Sequence, residues 1–390
     1  MIQNLLPFIV VLPALIYALI SLFCGVRFFA AKTLAGDTLK CTPDGHPHCS
    51  AGVSILKPVK GMDAESYHNY ASFCHQDYQG DVQIIFAVAS AEDPAIAVIH
   101  QLIADHAHLD ISLEVNPALH GPNHKVSNLI NAFPKARHDI VIVCDSDIRV
   151  APDYLTNVTA HFKNSKVGLV TSLYRTSNVH GMATAIEATG FTAEMIPNVM
   201  VALQLEGLSF ALGASMAVRR KALEEIGGFE ALADYLADDY QLGNKVFKAG
   251  WLIALDKCFV ESMMKDENLT SVLSRQLRWC RTMRVSRPGG YLASGITLPF
   301  PALLLSTALA HTAWTAVASI VLLYACRLTV VTVYSRLLTK DRLMPRWLWL
   351  LPLRDMLGFF SWALSFLGNQ VEWRGVRFKL RPGGKIEELI

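Results

Sequence analysis

Two long apolar stretches frame this chain and limit what can lie between them. Leu5 to Ala31 is broken only by Arg27 near its end, and roughly 20 apolar residues suffice to cross a bilayer core. The run is too long for a signal peptide and lacks a basic start, so residues 1–32 read as a retained anchor. Arg27 and Lys32 flank its end while no Lys or Arg precedes it, which places the residues beyond the anchor in the cytoplasm. Tyr291 to Tyr334 is long enough for two crossings turned near His311 to Trp314. The basic loop after it, with Arg336, Lys340, Arg342 and Arg346, belongs on the cytoplasmic side.

A third candidate, Trp347 to Gly368, carries Arg354 and Asp355, and each charge at mid-membrane costs about 2.5–3.5 kcal/mol on insertion scales. Residues 289–368 therefore hold two or three segments, the last either a crossing or a re-entrant or interfacial piece. In the tail, 369–390, Val371 to Arg381 alternates apolar and basic residues around Gly375, a hairpin pattern on the cytoplasmic side. A 52% hydrophobic and 17% charged chain suits an integral membrane protein, and 35 basic against 33 acidic residues give no nucleic-acid signature.

Residues 33–51 read as a linker. They include Cys41, His46, His48 and Cys49, whose spacing matches no common zinc pattern. The eight cysteines are unpatterned, which suits a reduced compartment.

Residues 52–288 alternate β-branched runs with helical patterns, the mark of an α/β domain with a mostly parallel, Rossmann-like sheet. Strands are expected at Val53–Val59, Val82–Ala89, Ile111–Val115, Ile140–Cys144, Val167–Leu173 and Trp251–Leu255. Helices are expected at Ala64–Asp77, Ala95–His106, Lys125–Ala136 and Tyr154–Phe162. Gly181 to Gln204 is an apolar helix with Glu187 and Glu194 on one face, either lying along the membrane or packed in a core.

Ligands of open α/β sheets bind beyond the carboxyl ends of strands, where the acidic clusters fall. Asp145 and Asp147 come directly after a buried-strand run, and alternate residues share a face, so both can meet one divalent cation such as Mg2+ or Mn2+ and a diphosphate. The bland alternative is turn formation. Asp238 and Asp239 open a helix, where acidic residues are favoured as caps, yet a pair exceeds what capping needs and Asp239 is the candidate base. Lys57, Lys60, His124 and Lys125 stand where a strand ends or a helix begins, positions suited to phosphate, although lone lysines are more often merely solvated. Neither a P-loop nor a dinucleotide glycine motif occurs. Arg275 and Arg278 share a helix side and precede Trp279; they suit either anionic lipid or a departing diphosphate.

These motifs together resemble the ceramide glucosyltransferases and their bacterial relatives, within the inverting glycosyltransferases of the GT-A fold. The resemblance rests on Lys57–Gly61, Glu92–Ile96, Cys144–Val150, Ala237–Tyr240, Arg275–Trp279 and Trp373–Gly384, and it covers nearly the whole chain. It implies Asp93, or Glu92 beside it, near the nucleotide base, Asp145 and Asp147 at the metal, Asp239 as general base, and Arg275, Arg278 and Trp279 as the closing motif. Lys57, Lys125 and Asp238 join the donor site. The implied partners are a UDP-sugar, a lipid acceptor and membrane lipids, with the catalytic domain facing the cytoplasm, at the inner membrane in a bacterium. Processive synthases usually have Gln where Arg275 stands, so the resemblance implies transfer of one sugar. It fits UDP-glucose with ceramide, and also UDP-N-acetylglucosamine with a hopanoid such as bacteriohopanetetrol.

Overall fold

The computed structural model describes residues 4–31 and 51–389. The Cys41–Cys49 stretch lies outside the described residues. In chain order the helices are α1 (Leu6–Ala30), α2 (Ser66–Ala71), α3 (Ala95–Asp105), α4 (His124–Ala132), α5 (Tyr154–Ala160), α6 (Met182–Gly190), α7 (Ile196–Glu206), α8 (Arg220–Glu225), α9 (Asp238–Lys248), α10 (Leu269–Ser286), α11 (Pro288–Ser294), α12 (Pro299–Ala308), α13 (Ala313–Val333), α14 (Met344–Trp347) and α15 (Leu351–Leu364). The strands are β1 (Val53–Pro58), β2 (Val82–Val88), β3 (Asp110–Val115), β4 (Ile140–Cys144), β5 (Ile148–Arg149), β6 (Val167–Thr176), β7 (Ser215–Arg219), β8 (Leu252–Ser262), β9 (Gln370–Trp373), β10 (Val376–Leu380) and β11 (Ile386–Glu388).

The chain forms two compact units. One takes residues 32–178 and 206–265, the other residues 1–31, 179–205 and 266–390. Residues 179–205 and 266–288 group by contact with the candidate membrane helices.

In the first unit an eight-stranded sheet runs β3-β2-β1-β4-β7-β6-β8-β5. The pairs β1–β2, β1–β4, β2–β3 and β6–β8 are parallel, whereas β4–β7, β6–β7 and β5–β8 are antiparallel. The run Ile140–Cys144 is apolar throughout because both of its faces are packed. In β4, Ile140, Ile142 and Cys144 join one core, and Val141 and Val143 join the other. That two-residue period brings the end of β4 out between two packed layers, where its next residues leave the sheet. The sequence pattern missed β5 and β7 and cut β8 short at Leu255; all three antiparallel pairs involve these strands.

In the second unit, α1 and the continuous helix from Ala313 to Leu338 are long and apolar enough to cross a membrane. The α11–α12 stretch is apolar too but bends by 51°, as a broken span or a re-entrant loop would. The turn before α13 falls at Leu309–Thr312, next to its expected place. α15 has 14 residues, about 21 Å at helical rise, which is shorter than a hydrocarbon core. Its two charges are both buried against protein. Asp355 takes Nε of Arg327 at 2.8 and 2.9 Å, and Arg354 donates to Glu194 at 2.7 Å and to Gln276 at 3.2 Å. The tail hairpin forms as β9 and β10, with β11 added beyond it.

Candidate active site

In the first unit the carboxylates gather around one lysine. Asn123 caps α4 by accepting from the amide of Val126 at 3.1 Å, and its side chain donates to the carbonyl of Tyr235 at 2.7 Å. The cap ties the start of α4 to the loop that leads into α9. Lys125, on the first turn of α4, then reaches Asp145 at 2.8 Å and Asp238 at 3.0 Å. The ammonium thus joins the turn after β4 to the start of α9. Burial alone would lower its pKa, but Asp145 and Asp238 outweigh that and raise it, so Lys125 stays charged.

Asp239 lies beside this pair. Its Oδ1 accepts from the amide of Tyr240 at 2.7 Å. Burial, then the neighbouring Asp238 charge, push its pKa up to about 6, against the opposing pull of Lys125. A carboxylate so placed is ionised near neutrality yet basic enough to take a proton. Gly213 makes room for it. A Cβ there would come within 2.8 Å of Oδ2 of Asp239. Nothing in the sequence around Gly213 marks that requirement, because it arises from a loop meeting a helix distant in the chain.

Asp147 belongs to the same turn as Asp145. Its carbonyl accepts from the amide of Met263 at 2.9 Å, and β5 beyond it pairs with the end of β8, which fixes the turn. Among the described residues, no three His, Cys, Asp or Glu side chains are grouped to hold a metal ion by themselves. Two carboxylates in one turn, one of them sharing an oxygen with Lys125, fit a hard divalent ion that draws its other oxygens from a diphosphate and water.

Lys57 is fully buried rather than open to a ligand. It donates to the carbonyl of Asp145 at 3.1 Å, and its ammonium sits 3.9 Å from the Phe73 ring centre. Burial pushes its pKa down to about 8. It therefore supports the Asp145 turn from beneath. Asp93 ties two loops: it accepts from the amide of Gly61 at 2.9 Å and from that of Ala95, at the start of α3, at 2.9 Å.

The Arg275–Trp279 motif lies in the second unit, on α10. Asn268 caps this helix by accepting from the amide of Ser271 at 2.9 Å. Nε of Arg275 donates to Glu187 at 2.7 Å and its Nη1 to Glu267 at 3.0 Å. The Arg278 guanidinium lies 5.9 Å from the Trp373 ring centre, and the Trp279 ring 6.2 Å from that of Phe191. The sequence placed Glu187 on a helical face but offered no sign that Arg275 is its partner, since 88 residues separate them.

The fold has a solved counterpart. A mannosyltransferase from Pyrobaculum calidifontis, determined in complex with GDP-Man and Mn2+, superposes with a TM-score of 0.53 over 93% of this chain and 99% of its own, at 16% identity. Strand order and superposition together give this chain a GT-A type fold.

The chain belongs to glycosyl transferase family 21, whose family model matches residues 6–386. Among curated proteins it is similar to ceramide glucosyltransferase 1 of Caenorhabditis elegans, 29% identical over 59% of this chain and 49% of that protein. Ceramide glucosyltransferase 3 of the same organism is 26% identical over 86% of this chain and 74% of that protein. The match thus spans about half the length of the first relative.

Proposed function

We propose that the chain moves one glucose from UDP-glucose to a hydroxyl of ceramide, with inversion at the anomeric carbon, at a catalytic unit facing the cytoplasm. Asp239 takes the proton of the lipid hydroxyl as its oxygen bonds to the anomeric carbon; the bond from that carbon to the diphosphate oxygen breaks, and UDP leaves with the electron pair. Arg278, supported by Arg275, offsets the charge that grows on the leaving group. Lys125 keeps Asp145 and Asp238 in place beneath the donor, and Trp279 stacks near the acceptor. A divalent cation held by Asp145 and Asp147 would neutralise diphosphate charge when bound. The mannosyltransferase from Pyrobaculum calidifontis, determined with Mn2+, supports that choice of ion.

The observation that carries the chemistry is Asp239, a half-buried carboxylate with its pKa pushed up to about 6 at the start of α9. The names of the family relatives support ceramide and glucose. The test incubates the purified chain with a panel of UDP-sugars and with ceramide or a polyhydroxylated hopanoid, and reads the lipid by mass spectrometry and linkage analysis. The expected product is a β-linked monoglucosylceramide. A hopanoid carrying N-acetylhexosamine, a polymer, or no sugar-bearing lipid would each overturn the reading.

A further inference from the structure

Every nitrogen of the Arg275 guanidinium is committed within its own unit. Nε donates to one oxygen of Glu187 at 2.7 Å, Nη2 to the other oxygen, and Nη1 to Glu267 at 3.0 Å. Such a two-point fork fixes orientation as well as distance. Glu187 is 1% exposed, so its charge depends on that guanidinium; a buried carboxylate without its partner is strongly unfavourable. One turn further along both helices, the Trp279 ring meets Phe191 at 6.2 Å. Residues 187 and 191 are four apart, as are 275 and 279, so the two contacts are successive rungs between the same pair of helical segments. Arg278 lies between the rung positions 275 and 279. Where its side chain points depends on the rotation and register of α10, which the rungs determine.

We propose that Glu187 is a positioning residue for glycosyl transfer: through Arg275 it sets the rotation and register of α10 and hence the placement of Arg278. Arg275 acts from this clamp and does not itself touch the diphosphate. For Arg275 to reach a phosphate it would have to leave Glu187 and strand a buried charge. The inference rests on the proposed reaction, in which Arg278 serves the leaving group.

The test compares Arg275→Gln, Glu187→Gln and the double variant in the full chain, by kcat, by KM for the donor and by thermal unfolding. Arg275→Gln strands the Glu187 carboxylate, whereas the double variant leaves two amides that hydrogen-bond each other. Each single variant should lose about a hundredfold in kcat with donor KM within about twofold, and the double should recover about tenfold or more over Arg275→Gln. A role in folding alone would lower only the fraction of active protein, which also leaves KM unchanged, so kcat is taken per active site counted by UDP titration. A folding role then leaves that kcat at the wild-type value. A double variant as slow as Arg275→Gln, or Glu187→Gln at wild-type kcat, would overturn the proposal.

If Arg275→Gln does not fold, Glu187→Asp takes its place. It keeps the charge but withdraws the carboxylate by one methylene; a lower kcat at unchanged donor KM supports the positioning role, and an unchanged kcat overturns it. Failure of the wild-type chain to glucosylate ceramide counts against the functional reading instead. Any donor and acceptor pair that the wild type turns over then serves the kcat comparison, and the unfolding temperatures report the Glu187–Arg275 coupling whatever the substrate.

Discussion

In the proposed reaction Asp239 concentrates the chemistry at the scale of single residues. Burial and the Asp238 charge push its pKa up to about 6, and Lys125 pulls the other way. The base form is the ionised one, so kcat/KM should rise with pH through about 6 and fall about tenfold per unit below it. Removing a cation that favours the ionised form raises an acid's pKa, so Lys125→Met should move this acidic limb to higher pH. A pH profile of both proteins checks the sign, and a limb that stays put or moves down would remove Lys125 from this role. Gly213 gives a second residue-scale prediction. Its alanine variant would place a methyl 2.8 Å from the Asp239 carboxylate, which must then shift. A displacement of that kind is expected to cost about a hundredfold in kcat with little change in unfolding temperature. The measurement is a kinetic and calorimetric comparison of Gly213→Ala with the wild type.

At the scale of elements, the chain shows how much a pattern carries. Ile140 to Cys144 was legible as a buried strand because it is apolar on both faces, and its end located the Asp145 and Asp147 turn. Ser215–Arg219 was not, because five residues with only three apolar side chains do not separate strand from helix by periodicity. Its place between β4 and β6 comes from long-range pairing. α15 was the other ambiguous element. Its Asp355 is tolerated because Arg327 on α13 meets both of its oxygens. Breaking a buried pair strands the remaining charge, so Asp355→Ala should destabilise by about 3–5 kcal/mol. Replacing both partners with leucine should cost much less. Thermal unfolding in detergent distinguishes the two, and equal losses would mean that the pair is not the reason α15 stays in place.

At the scale of the whole molecule, the sequence conveyed the α/β class, two helices long and apolar enough to cross a membrane, and the tail hairpin. Each of these is written in contiguous residues. It did not convey the contact grouping of the chain, in which 179–205 clusters with the candidate membrane helices rather than with the eight-stranded sheet. Nor did it convey the support of the Asp145 turn by Lys57 or the clamp on Arg275, since those contacts join residues 88 apart in the chain. Family membership over residues 6–386 includes residues of both units. The central claim is that Asp239 removes the proton of the acceptor, and the most direct measurement compares glycolipid formation and UDP binding in the wild type and in Asp239→Asn. The amide keeps the shape but cannot accept the proton, so turnover should fall by about a thousandfold or more while UDP affinity stays within about threefold. An Asp239→Asn chain that glycosylates at a rate near the wild type would contradict the account.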